Sequence, residues 1–466
     1  MSPLSRRAAL KSVALGMAPL GLAPSASAQS TPATTAGASA VPSVPWSNWS
    51  GSSTASARQL AVPADLAQLQ QLLRASTEPV RCVGAGHSFT PLVPTPGVIV
   101  SLDRMSGLLG VDAKTQTATL WAGTRLGALS RALDGQGVGL RNLPDIDAQS
   151  YAGAISTATH GTGAQLPALH ADVQSMELVL ADGSLLECSA SKNPQWLAAA
   201  QVSLGALGVV SKVQVKVVPA FNLRRKVWLL PVNELLDQAC ALASQHRHFE
   251  FYYLPFTGYA AAITHDAVES AEVLREASAD EEMLADLRKL RDWFGRFPDL
   301  RRWVASKLID PAQTEHAQDR SYKLLSTQRP TKFNESECHV PREAGVACVR
   351  EVIQTLEKRN DVFFPMEFRF VQGDDAWLSP FYQRDSCSIA VHAAAGEPYD
   401  YLVREIAPVF RKYQGRPHWG KLHAHVGTDF ATLYPRWKDF LALRAQLDPH
   451  GRFLNAHLRT VFGLPA

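Results

Sequence analysis

The spacing of apolar and polar positions predicts short helices and strands in alternation up to about residue 221. Leucines recur at helical spacing after Asp65, and a short apolar strand precedes Gly84. Two alternating runs, Gln174–Leu180 and Ser184–Cys188, flank an Ala-Asp-Gly turn and predict a hairpin. The same reasoning predicts strands at Gly97–Leu102, Thr117–Ala122 and Val209–Val218, and helices at Leu126–Leu133 and Trp196–Val202.

The pattern changes beyond residue 221 and predicts a second unit. Val268–Lys307 is rich in charge and predicts helix, and the chain closes with a helical stretch, Leu433–Phe462. In this part, strands near Phe249–Leu254, Val362–Val371 and Cys387–His392 alternate with helices near Ala344–Lys358 and Tyr399–Tyr413. This alternation predicts an antiparallel sheet with helices on one side, and an α+β fold for the whole chain.

Composition narrows the class of protein. The chain has 466 residues, 46% of them hydrophobic and 19% charged, with a net charge of +3. These values are typical of a soluble globular enzyme of two to three domains, and they indicate neither nucleic acid nor stable membrane insertion. The six cysteines show no C-x-x-C spacing, which argues against a zinc site, and we expect free thiols.

The first 28 residues predict a signal for export. Arg6 and Arg7 precede a modest apolar run, Val13–Leu22, and Ala26-Ser27-Ala28 supplies small residues for cleavage. The segment resembles a twin-arginine signal, which implies a folded protein in the periplasm or outside the cell. Residues 29–45, rich in Ser, Thr, Ala and Pro, predict a disordered linker.

A glycine loop carries the first candidate chemistry. Val80–Thr90 reads VRCVGAGHSFT, so Gly84 and Gly86 let the backbone approach an anionic ligand while His87 adds a nucleophilic nitrogen. Phe89 stands where a dinucleotide-binding pattern needs its third glycine. An ordinary strand–loop turn with a surface histidine is the alternative interpretation.

A second segment favours a ligand site. Gly135–Gly163 is crowded with Gly, Ser, Thr and Ala and has few large apolar residues. Backbone N–H groups and hydroxyls in such a segment suit a cradle for a pyrophosphate and a ring system.

Together the two segments resemble the flavin-binding domain of the vanillyl-alcohol oxidase family, and GAGHSF resembles the loop of its sugar-lactone and alditol oxidases. The resemblance implies FAD as cofactor, bonded covalently through its 8α carbon to His87. It also implies contacts to FAD from Gly84, Ala85, Gly86, His87, Ser88, Phe89, Ser150, Gly153, Ser156, Thr157, His160, Gly161, Gly208 and Val210.

The resemblance covers roughly residues 46–462 and implies a domain order. We expect a two-subdomain FAD-binding module over residues 46–222 and a substrate-binding cap domain over 223–440. The C-terminal segment, 441–466, contains DPHGRFLN and is expected to return to the FAD domain.

Phe363–Val371 reads FFPMEFRFV and carries candidate catalytic residues. On a strand, Glu367 and Arg369 share one face, and aromatic neighbours occupy the other. A solvent-facing ion pair is the alternative. The family resemblance implies that Glu367 orients the substrate hydroxyl and that Arg369 stabilises negative charge on substrate or flavin.

Pro417–His425 reads PHWGKLHAH. Its three histidines suggest a metal, but the spacing is not that of a helical zinc site and no carboxylate lies nearby in sequence, so we predict none. The Trp-Gly-Lys resembles an aldonolactone oxidase signature and implies that Lys421 faces either the N1–C2=O edge of the flavin or oxygens of the substrate. A surface lysine is the alternative.

His392 shares a strand face with Ser388 and Ala390. Its small neighbours leave room for a ligand, and an imidazole suits proton abstraction from an alcohol, although a buried structural histidine remains equally open.

The sequence therefore predicts flavin-dependent oxidation of a CH–OH group in a sugar lactone or polyol, with reoxidation by oxygen. Two alternatives stay open. One is a dehydrogenase of the same fold that uses another electron carrier, and the other is an exported binding protein without turnover.

Overall fold

The computed structural model describes residues 43–275, 280–327 and 330–465, so the predicted signal and most of the predicted linker lie outside the described residues. Its strands are β1 (Val44–Ser47), β2 (Thr54–Ala57), β3 (Gln59–Ala61), β4 (Val80–Val83), β5 (Val98–Ser101), β6 (Leu108–Asp112), β7 (Thr117–Trp121), β8 (Val138–Gly139), β9 (Val173–Val179), β10 (Leu185–Ser189), β11 (Val209–Lys216), β12 (Val218–Pro219), β13 (Asn222–Pro231), β14 (His248–Tyr253), β15 (Tyr259–Val268), β16 (Thr314–Arg320), β17 (Phe333–Pro341), β18 (Met366–Val371), β19 (Ser386–Ala394) and β20 (Arg416–Pro417).

Its α-helices are α1 (Leu66–Ala75), α2 (Leu126–Asp134), α3 (Tyr151–Ser156), α4 (Pro194–Ala200), α5 (Val232–Gln245), α6 (Asp280–Phe294), α7 (Pro298–Leu308), α8 (Ser321–Leu325), α9 (Gly345–Leu356), α10 (Ala407–Lys412), α11 (Gly427–Leu433), α12 (Trp437–Leu447) and α13 (Ala456–Phe462). A turn of π-helix, Leu402–Ile406, leads into α10.

Two sheets form the N-terminal part. β3, β5 and β4 make a small parallel sheet, and β10, β9, β11, β7 and β6 make an antiparallel one. Asp65 accepts a hydrogen bond from the Gln68 N–H and caps α1, whose Leu69 and Leu73 are buried. Every element predicted in this part is present, including the hairpin of β9 and β10.

An eight-stranded antiparallel sheet dominates the remainder, in the order β16-β13-β15-β14-β18-β19-β17-β20. One face packs against α5, α9 and α10 through a core that includes Phe251, Phe368 and Ile389. The predicted sheet with helices on one side is confirmed. The opposite face carries polar side chains and is described below.

Five of these eight strands, β13, β15, β16, β17 and β20, were not predicted from the sequence. β16 reads TEHAQDR and lies at the edge of the sheet beside β13, and its mostly polar sequence has no apolar alternation that would predict a strand. β17 reads FNESECHVP and carries two carboxylates, which are rarely buried, yet almost the whole strand is buried.

Two predicted boundaries also need correction. The predicted helix Val268–Lys307 begins too early, because Val268 ends β15, and α6 and α7 account for the helical part. The predicted strand Val362–Val371 begins only at Met366, since Pro365 supplies no backbone N–H to a ladder.

Helices α11, α12 and α13 pack with the N-terminal sheets. Phe430, Phe440, Leu458 and Phe462 join one buried cluster with Leu69, and DPHGRFLN separates α12 from α13. Within the described ranges, no helix has both the length and the apolar character needed to cross a bilayer. All six cysteines lie in these ranges and are free, as expected.

Candidate functional site

A cleft with about 1160 Å³ of empty space, part of it open to solvent, lies among several separate segments of the chain. The loop after β4, the start of α3 and the turn before β11 supply small residues and backbone N–H groups. Gly420 and Lys421 complete the lining from the other side.

Glycine is required where this loop meets α3. A Cβ on Gly84 would lie 2.2 Å from Ser150 Oγ, a distance that real contacts do not show. Gly86 adopts φ +69°, which side chains other than glycine rarely tolerate. The sequence therefore lets two backbone segments approach each other and leaves a narrow channel between them.

The lining suits a dinucleotide with a ring system. Ser150 caps α3 by accepting a hydrogen bond from the Gly153 N–H, and Gln149 Oε1 in the lining is buried without a hydrogen-bond partner among the described residues. Glycines, hydroxyls and an unsatisfied amide oxygen fit the phosphates and polar ring edges of FAD.

Eleven of the fourteen predicted FAD contacts line this cleft: Gly84, Ala85, Gly86, His87, Ser88, Ser150, Gly153, Ser156, Thr157, Gly208 and Val210. The other three lie behind the lining. Phe89 donates its backbone N–H to Gly420 O at 2.6 Å, and its ring lies 5.3 Å from the Lys421 ammonium. His160 and Gly161 belong to a buried cluster described below.

His87 stands in the cleft beside Trp49, with 4.9 Å between the ring centroids. Burial, together with the charges of Lys421 and Arg125, lowers the pKa of His87 to about 4. The imidazole is therefore neutral at pH 7 and keeps the lone pair that a nucleophile needs.

The polar face of the large sheet carries the predicted Glu-x-Arg pair. Register places Glu367 between Tyr252 of β14 and Ala390 of β19, while Arg369 lies between Glu250 and Ser388. Both side chains are buried, with 5% and 6% exposure, so the solvent-facing alternative is wrong.

Hydrogen bonds hold this pair in place. Arg369 forms an ion pair with Glu367 and donates from Nε to Glu250 at 2.7 Å, and the Tyr252 hydroxyl donates to Glu367. Burial raises the pKa of Glu367 to about 8; Arg369 opposes that rise, and the nearby carboxylates of Asp145 and Glu250 reinforce it. Since Glu250 also neutralises Arg369, Glu367 can exchange a proton near neutral pH.

Lys421 contacts two carboxylates that the sequence analysis did not single out. Its ammonium forms an ion pair with Glu335 and lies 4.0 Å from Glu337, both on β17. Burial alone would lower the pKa of Lys421, but these two carboxylates raise it above its ordinary value. Lys421 is therefore a half-buried, ion-paired cation that lines the cleft, with 20% of its side chain exposed, and not an isolated surface lysine.

The alternation of polar and apolar residues within FNESECHVP could have predicted that Glu335 and Glu337 lie on a strand. Glu335, Glu337 and His339 fall on one face of the strand, while Cys338 and Val340 fall on the other and join the apolar core. A period of two with one apolar face indicates a strand even when the opposite face is charged.

Glu337 is the centre of the buried cluster that contains His160. Its carboxylate accepts from Ser388 Oγ at 2.5 Å and lies 2.9 Å from His160 Nε2, whose ring also bonds Gly161 O through Nδ1 at 2.8 Å. His160, Glu337 and His339 bring potential metal-ligand atoms within 4.8 Å of one another. Because protons on Ser388 and His160 and the ammonium of Lys421 already compensate Glu337, the cluster resembles a hydrogen-bond network more than a metal site.

The other histidines considered in the sequence lie in three different places: the polar face of the sheet, the cleft, and the core around Phe430. His392 lies on the polar face, opposite Glu335, and bonds Pro365 O through Nδ1 at 2.9 Å. His418 lines the cleft, whereas His423 and His425 pack beside the ring of Phe430.

Comparisons with known proteins agree with this arrangement. Residues 213–461 match the D-arabinono-1,4-lactone oxidase family, and residues 57–189 match the FAD binding domain family. L-gulono-1,4-lactone dehydrogenase of Mycobacterium tuberculosis is 36% identical over 428 residues, covering 90% of this chain and 99% of that protein. Alditol oxidase of a Streptomyces species is 28% identical and covers 88% of this chain and 97% of its own length.

L-gulonolactone oxidase of Bos taurus is 31% identical, with 85% of this chain and 93% of that protein covered. Among solved structures, cholesterol oxidase from B. sterolicum superposes with a TM-score of 0.73 at 17% identity, covering 90% of this chain and 97% of that chain. That likeness concerns the fold alone, and it confirms the predicted α+β class with an FAD-binding module and a cap on an antiparallel sheet.

Proposed function

This chain belongs to the D-arabinono-1,4-lactone oxidase family of FAD-dependent oxidoreductases, and we propose that it oxidises a CH–OH group of a sugar lactone or polyol. One observation carries the proposal. Lys421 lines the cleft that fits FAD and lies 4.0 Å from Glu337 of β17. Glu337 and Glu367 are the neighbours of Ala390 on the two adjacent strands, so both carboxylates lie on the same face of the sheet. Cofactor cleft and polar face therefore meet at Lys421.

When bound, FAD supplies the hydride acceptor for the carbon that is oxidised. The residues on the polar face would bind and orient the substrate beside it. Glu367 suits a hydrogen bond to the substrate hydroxyl, Arg369 suits an oxygen that gains negative charge, and His392 suits acceptance of the hydroxyl proton. Lys421 places a positive charge at the edge of the cleft.

A covalent bond between His87 and FAD is part of the proposal. Its support is that His87 stands in the cleft, carries a neutral imidazole and follows a glycine loop that brings the backbone close to a ligand. The alternative of a simple turn with a surface histidine does not account for the cleft.

The electron acceptor defines a second candidate function. The relative with 36% identity is named a dehydrogenase, whereas others are named oxidases. Oxygen and an electron carrier are therefore both proposed acceptors. Oxygen uptake during turnover, compared with turnover when a dye is the only acceptor, distinguishes them. A binding protein without turnover is disfavoured because Glu367, Arg369 and Lys421 are all in place.

We also propose export, on the evidence of Arg6, Arg7 and the apolar run that follows. The twin-arginine route carries folded proteins, which suits an enzyme that acquires its cofactor before export.

The deciding experiment begins with the absorption spectrum of the purified protein before and after acid precipitation. Yellow colour shows a flavin, and a yellow pellet shows a covalent one. Anaerobic addition of aldonolactones and alditols should then bleach the flavin. A protein that binds flavin but is bleached by no member of either class would contradict the proposed function.

A further inference from the structure

Glu335 is a buried carboxylate that contacts two candidate catalytic residues and has no role in the function proposed above. It lies on β17 with 5% of its side chain exposed. One of its oxygens faces Lys421, and the other faces His392. These two contacts connect the Lys421 ammonium with the His392 ring through one carboxylate.

On the Lys421 side, Glu335 Oε2 accepts a hydrogen bond from the ammonium. Glu337 lies farther away, at 4.0 Å, and is already engaged with His160 and Ser388, while the charge of Asp145 has a smaller effect on Lys421 than that of Glu335. Glu335 is therefore the main counter-charge of Lys421, and it fixes the position of the ammonium at the cleft.

On the His392 side, the ring orientation indicates the tautomer. Nδ1 faces the carbonyl of Pro365 at 2.9 Å, and a carbonyl can only accept, so Nδ1 carries the proton. Nε2, the other ring nitrogen, lies 3.8 Å from Glu335 Oε1. A proton arriving at Nε2 would place a positive charge next to that carboxylate.

We propose that Glu335 is a positioning residue for the oxidation, holding Lys421 at the cleft with one oxygen and stabilising protonated His392 with the other. The inference rests on the proposed function. As the substrate carbon loses its hydride to FAD, the hydroxyl proton passes to His392 Nε2 and a C=O bond forms. Glu335 gains and loses nothing in this step, and it acts through its charge.

The experiment uses the purified holoenzyme and four variants: Glu335→Gln, Glu335→Asp, Lys421→Met and the double variant Glu335→Gln/Lys421→Met. Glu357→Gln is the matched control, because Glu357 is a partly buried carboxylate that accepts hydrogen bonds from Tyr253 and Arg302 rather than from Lys421. Two quantities are measured for each: the affinity of the flavin for sulfite, and kcat with KM for a substrate identified by anaerobic bleaching.

Glu335→Gln should bind sulfite about tenfold more tightly, because sulfite is an anion and the charge of Lys421 is no longer compensated. Its kcat should fall by about tenfold or more with little change in KM, since His392 and Lys421 lose their support. Glu335→Asp keeps the charge on a shorter side chain, so its sulfite affinity should stay near the parent value while kcat falls. The control should match the parent in both measurements.

In the double variant, kcat should fall by less than the product of the two single effects, because Glu335 acts partly through Lys421. Multiplicative losses, or unchanged sulfite affinity in a flavin-loaded Glu335→Gln protein, would overturn the inference. If no lactone or polyol bleaches the parent, the proposed function fails, and the sulfite measurements still test the link between Glu335 and Lys421.

Discussion

Replacement of Lys421 by Met tests the charge at the cleft most directly. The change keeps much of the side chain's bulk and removes the positive charge, while His87 and the glycine loop stay intact. Flavin should therefore remain bound. Hydride transfer to FAD leaves negative charge on the N1–C2=O edge, and the proposal places the Lys421 ammonium beside that edge.

The structure sets the expected magnitude. One positioned charge in a site that excludes water contributes on the order of 3–4 kcal/mol to a transition state. Glu335 forms an ion pair with Lys421, so part of that field is cancelled and the lower end of the range applies. We expect anaerobic flavin reduction by substrate to slow by about two orders of magnitude.

The assay is stopped-flow bleaching of the flavin under anaerobic conditions, with sulfite titration as an independent measure of the same charge. Lys412→Met is the matched control, because it removes a lysine from an ion pair with Glu351 on the surface, where the Lys412 side chain is 61% exposed. If Lys421→Met is reduced as fast as the parent and binds sulfite as well, Lys421 does not act on the flavin, and Arg369 must supply the charge alone.

Four further predictions concern His87, Glu367 and the two arginines of the predicted export signal. His87→Ala should release FAD into the supernatant on acid precipitation while the fold persists, as circular dichroism would show; flavin retained in the pellet would exclude His87 as the anchor. In the parent, kcat/KM should rise through an ionisation near pH 8 as Glu367 becomes a better acceptor for the substrate hydroxyl, and Glu367→Gln should lack that ionisation. The same raised pKa means that ionising Glu367 costs stability as pH rises from 4.5 to about 8, so the melting temperature of the parent should fall more over this interval than that of Glu367→Gln. Changing Arg6 and Arg7 together to Lys should leave the precursor in the cytoplasm on fractionation, and unimpeded export of that variant would indicate another route.

Much of the fold could be predicted because apolar periodicity and turn residues act locally. The hairpin around Asp182 and the helix capped by Asp65 illustrate this, and both are confirmed. β16 could not be predicted, since an edge strand with polar side chains is specified by its neighbour β13 rather than by its own pattern. The predicted start of the strand at Val362 was wrong. The apolar run begins there, but Pro365 interrupts backbone pairing, so the strand begins only at Met366.

Only some residues of the site could be predicted from the sequence, for a related reason. Glu367, Arg369 and Lys421 could be singled out from their motifs, but their partners lie elsewhere in the chain, on β14 and β17. Glu250 neutralises Arg369 from 119 residues away, and Glu335 neutralises Lys421 from 86 residues away. A single sequence does not show which charges pair across strands.

Pairing decides whether such charges can be buried at all. An isolated carboxylate inside a protein is costly, so a run such as FNESECHVP indicates a solvated segment until its partners are known. On this sheet face, Glu335, Glu337 and Glu250 each have a cation or a proton donor within contact distance, and that compensation is what allows β17 to be buried. The compensation also has a consequence for function. When the charges of a site are balanced in pairs, removal of one partner leaves the charge of the other uncompensated. For this reason, Glu335→Gln and Lys421→Met should shift sulfite affinity in opposite directions.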